Sequence, residues 1–84
     1  MIELDVRELP PCEPLERVMA ALRDLPPGDY LSVLHRREPF PLYRLLEQGG
    51  YAWRTRPRGG DGLEILVWHR GDSRAEAALA PLPR

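Results

Sequence analysis

A change of hydrophobic period across a proline-rich turn constrains this chain more than any other feature. Before the turn, Ile2, Leu4 and Val6 alternate with Glu3, Asp5 and Arg7, the period of a strand with one buried face. After it, Leu15, Val18, Met19, Leu22 and Leu25 recur at helical spacing, while Glu16, Arg17, Arg23 and Asp24 point elsewhere. Pro10, Pro11 and Pro14 fix φ in between, so the turn loses little entropy on ordering. Pro14 suits a first helical turn, where its missing N–H would have had no partner. The spacing predicts a helix over 13–25 that stops at the turn signal Pro26-Pro27-Gly28-Asp29.

The pattern then repeats. Residues 30–35 read as a second strand, with Leu31 and Val33 on one face and Tyr30, Ser32 and Leu34 on the other. Arg36-Arg37-Glu38-Pro39 breaks it, and Pro41 opens a short helix carrying Leu42, Leu45 and Leu46, closed by Gly49-Gly50. Tyr51, Trp53 and Thr55 alternate with Ala52, Arg54 and Arg56. After the loop Gly59-Gly60-Asp61-Gly62, Leu63, Ile65 and Val67 alternate with Glu64, Leu66 and Trp68, so the pair is an antiparallel hairpin. The order β-α-β-α-β-β predicts an α/β fold, a two-layer α/β sandwich with a mixed four-stranded sheet and both helices on one face. Residues 1–70 form the expected domain. Residues 71–84, rich in Ala, Pro and charge, read as a flexible C-terminal tail in which 75–82 has brief helical character.

The first two strands should run parallel, joined through the first helix, which brings the turn 7–13 and the loop 35–40 to one sheet edge. Ligands of open α/β sheets usually sit at such an edge. The edge would gather Arg7, Glu13, Pro14, His35, Arg36, Arg37, Glu38 and Tyr43 as ligand- or partner-binding residues. Cys12, the single cysteine, would stand at the helix N-terminus, where free N–H groups and nearby arginine favour a thiolate. The competing reading makes Cys12 a small packed residue and His35 a polar end group.

Other chemistry is poorly supported. Cys12, His35, His69 and scattered carboxylates lack paired ligand spacing, so no metal and no cofactor are expected. Ser32 lies mid-strand without a nucleophile elbow, and the glycine loop joins two strands rather than opening a helix, which leaves no hydrolase, oxidoreductase or phosphate-cradle motif. An enzymatic role would be transferase-like at most. A net charge of -1 disfavours nucleic acid. All twelve basic residues are arginine, a composition that does not by itself establish heat stability. With no apolar run near bilayer length and an acidic strand-like start, the expected location is cytoplasmic.

Leu4-Asp5-Val6-Arg7-Glu8-Leu9, followed by Cys12-Glu13-Pro14 and an amphipathic helix, resembles the TusA (SirA-like) sulfur-carrier superfamily over roughly residues 2–70. The proline-rich first turn and the His35, Pro39, Pro41, Leu42, Tyr43 pattern resemble an uncharacterised bacterial branch of it, whose members are sometimes fused to hemerythrin-like domains. The resemblance implies a small cytosolic domain acting through a partner protein, with a cysteine at the start of the first helix carrying sulfur as a persulfide. Aligned without a gap, Pro11 stands where the family cysteine does and Cys12 one residue later. Only Glu13 and Pro14 match motif positions. The alternative is a noncatalytic protein- or ligand-binding module in which Cys12 is incidental.

The second candidate is the sheet face turned away from the helices. Tyr30, Leu34, Leu66 and Trp68 would emerge there beside Arg54 and Arg56, with Leu66 and Trp68 as an interface able to form a homodimer. A tail folded back through Leu79 and Leu82 would instead cover that face.

Overall fold

The computed structural model describes residues 1–8, 13–58, 60 and 62–79; the side chain of Glu13 lies outside the description with residues 9–12. The alternating segments form β1 (Ile2–Asp5), β2 (Leu31–His35), β3 (Tyr51–Arg58) and β4 (Gly62–His69). The helically spaced ones form α1 (Glu13–Arg23) and α2 (Phe40–Gln48), and a third helix, α3, spans Ser73–Leu79. The sheet order is β1-β2-β4-β3. β1 and β2 are parallel, and β4 runs antiparallel to both β2 and β3. The observed architecture is the expected mixed four-stranded α/β sheet.

Pairing register puts whole rows of side chains on one face or the other. Ile2, Leu31, Val67 and Trp53 form one inner row, and Leu4, Val33, Ile65 and Thr55 the next. Against these rows α1 buries Val18 and Leu22 and α2 buries Leu42 and Leu46, each at most 1% exposed. Both helices therefore pack on one face, as their single apolar stripes require. α2 ends at Gly49 and Gly50; the left-handed residue is Gly50, with φ +82°.

The outer face departs from expectation. Residues 73–79 are helical rather than a flexible tail, and Ala75 and Leu79 pack on Leu66 and Trp68, with Tyr30 and Ala52 alongside. Leu66 is 1% and Trp68 8% exposed, so neither is an open interface residue. The reason is visible around Asp72. Its carboxylate accepts from the Gly28 N–H at 2.7 Å and from the Ala75 N–H at 3.2 Å, capping α3 and tying it to the turn before β2. Trp68 Nε1 donates to Glu76 across the helix–sheet seam at 3.4 Å. The folded-back alternative is realised through Leu79; Leu82 lies outside the described residues.

The outer face also holds a buried polar cluster that its alternating pattern disguised. Glu64 is 4% exposed. It accepts from Ser32 Oγ at 2.5 Å and from Arg56 Nε at 2.7 Å, with Arg58 Nη1 3.6 Å away. Burial alone would raise the Glu64 carboxyl, but the bonds from Ser32 and Arg56 and the charges of Arg56 and Arg58 outweigh it, so the group sits below the usual carboxylate range.

Candidate functional site

Parallel pairing of β1 and β2 makes both strands end on the same edge, and the ladder continues one step further as the Val6 N–H donates to the Leu34 carbonyl at 3.0 Å. Arg7 follows at once. Its backbone N–H and guanidinium fold back on Asp5, with Nη2 2.8 Å from Oδ2, which holds the Asp5 carboxyl down at about 2. A Cβ placed on Gly62 would lie 3.5 Å from the His35 carbonyl oxygen and 3.6 Å from Arg7 Cδ. The start of β4 thus lies beside both the end of β2 and the Arg7 side chain that follows β1, and a side chain at 62 would meet them at ordinary contact distance.

The two loops leaving the edge touch. Arg36 Nη2 lies 3.3 Å from Glu8 Oε1. Both side chains are more than half exposed, so the pair is worth little. His35 Nδ1 accepts the Arg37 N–H at 3.2 Å, which assigns the ring proton to Nε2 in the neutral form. Burial at the strand end lowers the His35 pKa, so the neutral imidazole prevails at neutral pH.

A second group lies along α2. Tyr43 stacks on Trp53 with ring centroids 5.4 Å apart, and its hydroxyl is 2.6 Å from Thr55 Oγ1 and 3.5 Å from Glu38 Oε1. Burial comes first among the causes that raise the Tyr43 pKa, with Glu38 adding to it. Phe40 meets Tyr43 edge-on at 5.9 Å and is 67% exposed, so a row of rings leads from the core to solvent at the start of α2.

The candidate edge residues therefore divide. Arg7, His35 and Arg36 lie at the ends of β1 and β2, where Arg7 is held by Asp5, Arg36 by Glu8 and the His35 ring by the Arg37 backbone, and Glu38 and Tyr43 belong to the aromatic row. Pro14 is half-buried in the first turn of α1, and Glu13 opens that helix. Cys12 lies outside the described residues. Leu66 and Trp68 sit on the other side of the sheet. Phe40, Trp53 and Thr55 were not singled out from sequence, although period two already put Trp53 and Thr55 on the helix-covered face. Among the described residues no cluster of three His, Cys, Asp or Glu side chains could hold a metal ion. Nor is any described helix long and apolar enough to cross a membrane.

Comparison with known proteins now has a fold to match. A search of curated proteins found no match. A SirA-like protein from Desulfitobacterium hafniense has a similar crystal structure, with a TM-score of 0.70 and 21% identity over 80% of this chain and 95% of that one. That likeness shows a SirA-like fold. The sequence model of a family described as "Uncharacterized conserved protein (DUF2249)" matches residues 3–69, which takes in β1 from its second residue, the other three strands and both inner helices and leaves out α3. With most of its length covered by that match, the chain belongs to the DUF2249 family of uncharacterized conserved proteins.

Proposed function

We propose that this chain is a small carrier domain that acts through a partner protein docked on the β1/β2 edge, with Cys12 as a sulfur acceptor. The observation that supports it is the 3.3 Å contact of Arg36 with Glu8, which draws together the loop after β2 and the segment leading into α1. Cys12 is bonded to Glu13, the first residue of α1, and a thiolate near a helix N-terminus and arginine is a better nucleophile at neutral pH than a free thiol. The transfer is an exchange between sulfurs. The Cys12 thiolate attacks the terminal sulfur of a donor persulfide, the new S–S bond forms on Cys12, and the donor leaves as its thiolate with no net redox change. A partner's acidic side chains would take the place of Glu8 on Arg36.

The test is alkylation of native protein across pH, read by intact mass. Rapid labelling with a midpoint well below the free-thiol value of about 8.5 supports the reading. Labelling only after denaturation, or persulfide loading that persists in Cys12→Ala, ends it. The exposed Phe40 favours a second reading, a noncatalytic module whose partner contacts this edge independently of Cys12. It predicts that Phe40→Ala or reversal of Arg36 and Arg37 weakens partner binding and Cys12→Ala does not.

A further inference from the structure

We infer that α3 is a built-in cap on a self-association surface, and that with α3 displaced the outer sheet face pairs with the same face of a second copy of this chain. One outer row reads Glu3, Ser32, Leu66, Arg54 from edge to edge, and the next Asp5, Leu34, Glu64, Arg56. Acids occupy the β1 edge, arginines the β3 edge, and apolar side chains much of the middle. A third row places Trp68 beside Ala52, with Tyr30 just ahead of β2.

This distribution is self-complementary in one orientation. A twofold axis along the strands turns the β1 edge of one copy over the β3 edge of the other, so Glu3 faces Arg54 and Asp5 faces Arg56 in both halves. The middle strands meet as Leu66 over Ser32, Tyr30 over Trp68 and Leu34 over Glu64, whose carboxylate keeps its bonds to Ser32 and Arg56. An axis across the strands would oppose like charges instead. Aligned strands are also the ordinary way for two sheets to pack face to face. That charge pattern makes a second copy of the chain the complementary occupant.

α3 now occupies part of this surface and is weakly held. Its seven residues are too few to be helical alone, and only Ala75 and Leu79 are buried. A cleft lined by Arg54, Trp68, Glu76 and Leu79 already opens between the helix and the sheet. Gly71, at φ +83°, stands immediately before the Asp72 cap, at the point where the helix would swing away. The family match ends at His69, before the cap begins. The surface meets the β1/β2 edge at Asp5, whose carboxylate is held by Arg7.

The test uses the full chain with Ala75→Glu, which sets a charge in a fully buried position under α3 and leaves every residue of the sheet unsubstituted. A cap closed about nine-tenths of the time on each copy weakens dimerisation about a hundredfold, and the variant should recover that factor in sedimentation equilibrium. Arg54→Glu added to Ala75→Glu should return it to one chain, and Glu3→Arg added to both should restore the dimer. If Ala75→Glu is unfolded by circular dichroism, Asp72→Asn weakens the cap and should strengthen self-association in the same direction. A folded but monomeric capless variant, a dimer indifferent to Arg54→Glu, or an unsubstituted chain that dimerises equally well would overturn the inference.

Discussion

The two faces of the sheet solve the same problem in different ways. On the inner face two helices of 11 and 9 residues lay continuous apolar stripes on rows drawn from all four strands. On the outer face a seven-residue helix covers one end, and the other end is closed by a carboxylate bound to a serine and two arginines. The inner face is held by packing and can lose little without a cavity. The outer face is held by a few specific contacts.

The sharpest contrast comes from deleting side chains. Leu46→Ala removes a fully buried anchor of α2 and should cost about 2–5 kcal/mol, seen as a lower urea midpoint with unchanged slope. A cost below 1 kcal/mol would erase the distinction between the faces.

Arg56→Ala should come next, at about 2 kcal/mol, because it leaves the buried Glu64 carboxylate with only Ser32 and the more distant Arg58. The pH dependence follows from the same cluster. Glu64 is depressed in the folded state, so its contribution is complete above its unfolded pKa near 4.5 and is lost as pH falls through the lower folded value. Denaturation midpoints of wild type and Arg56→Ala should therefore converge below about pH 4.5. Midpoints that stay equally far apart there would assign the cost to packing of the arginine stem.

Leu79→Ala should have the smallest effect on global stability, about 1 kcal/mol or less, because α3 can undock without unfolding the core. Amide exchange resolves the point: protection in 73–79 should fall while β4 amides keep theirs. Loss of protection in both at once would make α3 part of the core.

Much of the inner half was legible because its signals are local. Alternation in 2–6, 31–33 and 63–67 and the helical stripes in 15–22 and 42–46 each declare which side is apolar, and one register satisfies them all. The edge followed from parallel pairing, and the Arg36–Glu8 contact agrees with it. The burial of Glu64 was not legible because period two distinguishes faces but not whether a polar residue on the second face is covered. Its partners Ser32 and Arg56 are 32 and 8 residues away, and only cross-strand register joins them. The aromatic row of Phe40, Tyr43 and Trp53 was missed because it crosses from a helix to a strand.

Sequence alone determined the order of elements, the buried side of each, and where turns must fall, because side-chain periodicity and proline or glycine geometry act over a few residues. Tertiary structure decided whether 73–79 would be a helix at all. An alanine-rich stretch with two apolar anchors has too little intrinsic stability to choose a conformation, and it became α3 only because Leu66, Trp68 and the Gly28 N–H offered its anchors and its capping carboxylate a place to dock.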